Sequence, residues 1–482
     1  MDETLEDNLL GREREQVKDL KSRIWIESKK FWRVASPAMI TRITTYGILV
    51  VSQSFMGHIG ETELASYAII QIFLVRFANG IVFGMSSALE TLCGQAFGAR
   101  HCHMMGIYLQ RSWIVVLVSA TILLPVFIFT SPLLKLIGQA DELAVEAGKI
   151  SLWFIPILYY FVFSMTMQKF LQAQLKNMII GWLSSASFVV HLILSWLFVY
   201  KLSLGVPGAM GAMIISTWLM VIGEFVYIFG GWCPESWRGF SKSAFTDLWP
   251  VAKLSLSSGV MICLEVWYNA LLVLFAGYMK KATIAISAFS ICLNINTWEL
   301  MICIGFLSAA SVRVANELGR GDAEAAKFSI IVNLSTSVSL GVLFSVLFLA
   351  FKHVISYAFT SSTEVAKAVS SLSSLLSLSI LLNSVQPVLS GVAVGAGRQT
   401  LVAYVNLGSY YVAGIPIGLL LGYVAKLGVR GIWIGMLCGV ALQTLILLWI
   451  TWRTDWKAQV ENASQRLNKW FSAPSEEKTS HA

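Results

Sequence analysis

A carboxyl group in the middle of a long apolar stretch is expensive to place, and is therefore a candidate for chemistry. Glu265 is the clearest case in this chain, with no other charge between Lys253 and Lys280. Read as a helix, its stretch puts Ser258, Glu265, Tyr268 and Asn269 on one polar stripe of an otherwise apolar cylinder, at i, i+7, i+10 and i+11. Removal from bulk water disfavours the charged form of a carboxyl, so such a group can load and release a proton near neutral pH. Two further stretches carry polar stripes. Cys292, Asn296, Glu299 and Cys303 share a face with Trp298 beside them, and Ser379, Asn383, Gln386, Pro387 and Ser390 recur at i, i+4, i+7, i+8 and i+11. Pro387 frees a backbone carbonyl, which must find another partner within the protein. The expectation is that Glu265 binds a proton, while Tyr268, Asn269, Asn296, Trp298, Glu299, Asn383 and Gln386 line a cavity for substrate.

Five more ionisable residues fall inside apolar stretches: Arg42, Arg76, Glu90, His191 and Glu224. Glu90 and Glu224 lie toward the ends of theirs and are expected to reach water or a basic loop. His191 has no ligand partner at i+3 or i+4 and reads as a packing histidine. Arg42 and Arg76 could draw in anions or pair with carboxylates between helices. There is no HExxH, no histidine cluster and no Ser/His/Asp set at matching depth, so an enzyme, a metal site and a cofactor are not expected. Seven cysteines without a CxxC pair give neither a disulfide framework nor a zinc pattern.

These side chains need long apolar helices to hold them, and the composition asks for the same. Hydrophobic residues are 56% of the 482-residue chain and charged residues 13%, against about a quarter charged in soluble domains. An aqueous fold is excluded. The net charge of +8 does not mark a nucleic-acid protein, because the basic residues sit between apolar stretches rather than clustering with aromatics. A bilayer core about 30 Å thick needs roughly 20 apolar residues per helix. Such stretches run over 34–58, 64–96, 112–134, 150–168, 177–200 and 206–230, then 254–279, 282–312, 328–351, 368–397, 401–425 and 431–452. The fold class is therefore an all-α integral membrane protein of twelve spans. If both tails share a face, twenty-four Lys and Arg residues gather there, with Lys169, Lys176 and Arg313 counted as loop cations, against nine on the other. That bias puts both termini in the cytoplasm. The first span follows a charged tail with no cleavage-site pattern, so no signal peptide is expected to be removed. The expected division is an N-tail over 1–33, a first lobe over 34–230, a linker over 231–253, a second lobe over 254–452 and a C-tail over 453–482. Val17, Leu20, Ile24 and Phe31 suit a helix on the inner membrane surface, and Trp237, Phe240, Ala244 and Leu248 repeat the pattern. The tails read as short and polar, too small for a domain, and residues 1–20 and 470–482 as without a packed element.

The two lobes are copies of one unit. Trp32-Arg33-Val34-Ala35 matches Trp249-Pro250-Val251-Ala252 at an offset of 217. Gly84-Met85-Ser86-Ser87-Ala88 through Gln95-Ala96-Phe97-Gly98 matches Gly305-Phe306-Leu307-Ser308-Ala309 through Asn316-Glu317-Leu318-Gly319 at 221, and Leu204-Gly205-Val206-Pro207-Gly208 matches Leu427-Gly428-Val429-Arg430-Gly431 at 223. Six spans restore the starting orientation, so these are parallel repeats about an axis along the membrane normal, enclosing a central cavity. The offset carries Glu265 to Ile48, Glu299 to Ala78 and Asn383 to Met165, which assigns the ionisable site to the second lobe alone.

The run Ala88-Leu89-Glu90-Thr91-Leu92-Cys93-Gly94-Gln95-Ala96-Phe97-Gly98-Ala99 resembles the end of the second helix in plant multidrug and toxic compound extrusion (MATE) proteins. Ser311 to Gly319 resembles the same signature in the second half, Cys263 to Asn269 the seventh helix, and Gln386 to Ala393 the tenth. The resemblance covers residues 30–460. It implies a secondary antiporter that moves organic solutes such as plant secondary metabolites and xenobiotics against a proton or sodium gradient, in the vacuolar or plasma membrane. It also places the second-half coupling acid at Glu265. Asn383 stands where some relatives carry an acid, which favours protons over sodium. Pro37 resembles a first-helix proline linked to gating by bending, although a proline in the first turn of a helix loses no donor either. A monomer in the vacuolar membrane is expected. The run Glu6-Asp7-Asn8-Leu9-Leu10 resembles an acidic dileucine sorting signal one residue short. The alternative is an anion channel or electrogenic anion carrier on the same scaffold, using Arg42, Arg76 and basic loop ends. A lipid-linked sugar flippase would need a more cationic cavity, and a receptor would not need the duplication.

Overall fold

The computed structural model describes residues 20–277, 283–359 and 362–471. Expectations for 1–19, including Val17 and the run Glu6 to Leu10, and for 472–482 lie outside the described residues. Twelve helices are long and apolar enough to cross a membrane. They are α1 (Leu20–Ile59), α2 (Glu61–Gly98), α3 (Cys102–Ile128), α4 (Asp141–Ala173), α5 (Met178–Lys201), α6 (Gly205–Trp232), α7 (Leu248–Gly277), α8 (Thr283–Arg320), α9 (Ala323–Phe359), α10 (Thr363–Gly395), α11 (Gln399–Val424) and α12 (Val429–Arg453). A thirteenth helix, α13 (Trp456–Phe471), follows.

The duplication is written into the backbone. Left-handed residues recur as Arg100 and Gly321, Leu175 and Gly397, Ser203 and Lys426, and Gly205 and Gly428. These pairs lie 221, 222, 223 and 223 residues apart, so the two halves turn at the same places even where one half spends a non-glycine residue on a conformation that disfavours it. Across the seam the repeats meet reciprocally. A Cβ on Gly98 would stand 2.0 Å from the Asn316 carbonyl oxygen, and one on Gly319 would stand 2.1 Å from that of Gln95. Each glycine thus lets the other lobe's backbone approach at positions exchanged by the repeat.

The lobes join through α1 on α8, α2 on α7 and α2 on α8. Phe31 stacks on Phe306, Arg23 lies over Phe328, Gly84 meets Gly259, and Thr91 and Gln95 donate to the carbonyls of Val394 and Gly395. The described hydrogen bonds and ring contacts between the lobes run from Arg23 to Tyr46 on α1 and from Phe77 to Gln95 on α2, with Lys169 on α4. Residues of α1 beyond Tyr46 turn instead to their own lobe, as Gly47 does to Phe188 and Ser52 to His191. The seam is therefore tight on the face that carries the start of α1 and all of α13, called here the tail face.

Several expectations about the tails and loops change. The boundary drawn at 33/34 is not a break, since α1 runs unbroken from Leu20 and buries Glu27, Phe31, Val34 and Ala35. Pro37 consequently lies well inside this helix rather than in its first turn. The run Trp237 to Leu248 is not one surface helix: only Lys242–Phe245 forms a short 3-10 turn before α7 begins. It docks on the first lobe, with Trp237 against Phe229 and Trp113, while Arg111 holds the Ser243 carbonyl at 2.9 Å. The C-tail packs onto the lobes ahead of residue 470. α13 buries Trp456, Ala463 and Leu467, and Arg466 donates to Gln95 Oε1 at 3.1 Å and to the Ala396 carbonyl at 3.2 Å, tying both lobes. Burial, with no acid to offset it, pulls the Arg466 and Arg398 guanidiniums below their ordinary range.

Candidate functional site

The tenth helix organises the polar interior of the second lobe. Its stripe of Ser379, Asn383, Gln386 and Ser390 turns inward because successive members are three or four residues apart. Ser379 Oγ donates to Asn296 Oδ1 at 2.7 Å, and Asn383 Nδ2 donates to Asn296 Oδ1 at 3.0 Å and to Glu299 Oε2 at 2.9 Å. The other oxygen of Glu299 accepts from the Cys303 thiol, one turn along α8. Three turns of α8 and α10 are thereby locked together around one carboxyl.

Glu265, on α7, reaches the same helix one step further along. Its carboxyl is within hydrogen-bonding reach of Gln386, whose Nε2 also donates to Ser390 Oγ at 3.1 Å. Glu265 and Glu299 thus contact α10 through neighbouring members of a single stripe. Among the described residues no Lys, Arg or His pairs with either carboxyl. A carboxyl with amide partners and no fixed counter-charge is chemically able to take up and release a proton.

The remaining residues expected at the cavity are engaged in packing contacts. Tyr268 is fully buried, stacked on Tyr410 with ring centroids 4.3 Å apart, and its hydroxyl donates to the carbonyls of Gly435 and Met436. It pins α7 to α11 and α12. Asn269 donates to the backbone carbonyl of Glu265 at 3.0 Å and is spent on its own helix. Trp298 leans edge-on against Tyr46 of the first lobe at 4.9 Å, so it belongs to the seam. Pro387 is buried within α10 next to Gln386.

The first lobe holds ionisable groups that the sequence reading placed in water or at a basic loop. Glu90 and Lys169 are both fully buried and form an ion pair, and Lys169 also donates to Ser308 of the second lobe at 3.3 Å. Arg42 lies over the Phe83 ring and contacts Met165 Sδ, and Glu224 accepts from Ser164. A second buried cluster closes the tail face: Arg313 grips Glu27 of α1 through Nε and Nη2, at 2.8 and 2.9 Å, and Glu317 at 2.6 Å. Lys169 and Arg313 are interior residues, not loop cations. One signal was available: Glu90 and Arg313 both sit in the repeated motif, where a charge kept among small apolar residues needs a partner. His191 behaves as expected, contacting Ser52 and Ser216.

A family model described as MatE matches residues 37–197 and 258–420. Protein DETOXIFICATION 24 of Arabidopsis thaliana is 54% identical over 460 residues, which is 95% of this chain and 92% of its own length. Protein DETOXIFICATION 21 of the same plant is 53% identical over 460 residues, 95% and 93% of the two chains. The crystal structure of the eukaryotic MATE transporter AtDTX14 superposes with a TM-score of 0.87 at 34% identity, covering 92% of this chain and 99% of that one. An outward-facing multidrug resistance MATE family transporter of the MOP superfamily gives 0.75 at 16% identity over 91% and 97%, a likeness of fold.

Proposed function

The chain belongs to the MATE family of membrane transporters for small organic compounds, and on that premise we propose that it exports or sequesters organic solutes in exchange for protons. The observation that carries this reading is the pair of carboxyls, Glu265 and Glu299, hung on one α10 stripe without a basic partner among the described residues. In the proposed cycle, Glu265 takes a proton from the acidic side and the carboxyl is neutral while its helix packs against α10. Release to the other side leaves a charge that Gln386 alone cannot offset, and the stripe rearranges around solute. Asn383 offers an amide where a third carboxyl would favour a metal cation, which supports protons over sodium. With both tails cytoplasmic, the tight tail face closes the cytoplasmic side, so the cleft opens outward or into the vacuole. The vacuolar membrane and a monomeric carrier complete the reading.

The test is accumulation of a labelled solute panel in reconstituted vesicles under an imposed pH gradient. Glu265→Gln keeps the shape and the bond to Gln386 but fixes the neutral form, so proton-driven accumulation is lost. Glu299→Gln retains partial accumulation. If Glu265→Gln accumulates solute like the parent, coupling does not run through α7. If neither substitution matters and currents follow the anion gradient, the protein is the anion carrier of the alternative.

A further inference from the structure

We propose that the first-lobe wall of the cleft is a head-group site for organic anions, formed by Arg42 and Arg76, with the aromatic seam taking the planar body of the solute. The inference rests on the transport reading above and assigns it a substrate class. Arg76 is exposed although it lies within a membrane span. An arginine there faces water or a partner rather than hydrocarbon, and its surroundings say which. The next residue, Phe77, stacks on Trp267 of the other lobe at 5.2 Å, and Arg76 acts electrostatically on Tyr46, whose ring meets Trp298. Arg76 thus stands beside the two aromatic contacts that span the seam. Among the described residues no carboxylate pairs with it.

Arg42 stands one turn below Tyr46 on α1, between Met39 and Tyr46, which both touch α8. Its buried Nη2 has no hydrogen-bond partner, and Nη1 has only the thioether of Met165. Where the second lobe builds an amide-and-acid site, the first lobe presents a guanidinium. Glu90 offsets part of its charge but is committed to Lys169, and Glu224 is bonded to Ser164. A buried guanidinium nitrogen without an acceptor is costly, and a carboxylate, sulfate or phosphate on the solute supplies one in a planar, bidentate match. Tyr46, Trp298, Phe77 and Trp267 are all only half-buried, which leaves ring surface for an aromatic scaffold.

The probe pair is naphthalene-2-sulfonate and its uncharged sulfonamide, measured by equilibrium dialysis against the purified full chain. The parent is expected to prefer the sulfonate. Arg76→Gln should weaken the sulfonate about tenfold more than the sulfonamide, which is the scale of one charge-assisted hydrogen bond. Arg76→Lys should restore part of the preference, and Arg42→Gln should reduce it without the rescue that exposure allows at Arg76. Equal affinity of the parent for both probes, or equal weakening of both by Arg76→Gln, overturns the proposal. Glu265→Gln separates this from the coupling reading: its side chain stays neutral, so it should hold the sulfonate at least as tightly as the parent and keep the preference over the sulfonamide, while losing proton-driven accumulation. If accumulation survives in that variant and the sulfonate preference holds, the coupling assignment fails and the anion site stands.

Discussion

Substituting Glu90 by glutamine deletes one charge from a group of three buried ones. In the parent, Glu90 neutralises Lys169 directly and lies close enough to Arg42 to favour its cation. Without it, two cations remain in a region where both Lys169 and Glu90 have zero exposure, and among the described residues Ser308, the Met165 thioether and the Phe83 ring are left to receive them. Breaking a buried pair from one side costs about 3–5 kcal/mol, and the second stranded cation puts Glu90→Gln at the upper end. Lys169→Met should fall at the lower end of the same range, about 3 kcal/mol, because Arg42 still lies near Glu90. The double variant removes the charges together, so it should be more stable than the sum of the singles by at least about 1 kcal/mol. Thermal midpoints of the purified variants, read by the fraction surviving size exclusion after heating, give the order parent, Lys169→Met, Glu90→Gln, with the double variant above Glu90→Gln. Strictly additive losses, or Lys169→Met falling below Glu90→Gln, would refute the claim that Glu90 serves both cations.

Two further perturbations address the tail face. Gly98→Ala puts a methyl group 2.0 Å from the Asn316 carbonyl oxygen, so the lobes must separate there. In a cysteine-free background carrying Ser311→Cys, whose parent side chain is fully buried, a water-soluble maleimide should react several-fold faster, and an unchanged rate would mean the seam does not hold at this glycine. Arg466→Ala removes the bonds to Gln95 and Ala396, so trypsin should cut at exposed Lys457 sooner than in the parent. Equal cleavage rates would show that Trp456 and Leu467 suffice to hold α13.

The number of spans was legible because a bilayer imposes a length on every helix, and the duplication because its glycine motifs recur at a fixed offset. The α10 stripe was legible for the same reason: a polar residue each turn on an apolar helix has few places to point. What escaped were charges whose partners are remote in sequence. Glu27 lies 286 residues from Arg313, and Glu90 lies 79 from Lys169. Read alone, each resembles a residue at a loop end, and that misplacement truncated α1 and α4 in the reading. Arg111 shortened α3 likewise, because its partner is the backbone of the linker. Tyr268 shows the opposite error. Its position on the stripe with Glu265 was sound, but a large side chain at the edge of a stripe turns toward the neighbouring helix when two free carbonyls wait there.

The arrangement also explains why so asymmetric a pair of lobes can come from one repeat. Fusion leaves the seam self-complementary, so the residues that hold the lobes together stay matched: Gly98 with Gly319, Gln95 with Asn316, Arg100 with Gly321. Away from the axis no such match is required, and the interiors are free to diverge. One lobe carries a stripe of amides around two unpaired acids, and the other carries a paired acid with a guanidinium to spare. On the proposed reading, opposite polarity on the two walls would do something that two identical walls could not. A solute anion held by Arg42 and Arg76 would be repelled once Glu265 and Glu299 lost their protons, so protonation of the second lobe would govern what the first lobe can hold while the packed tail face keeps its geometry.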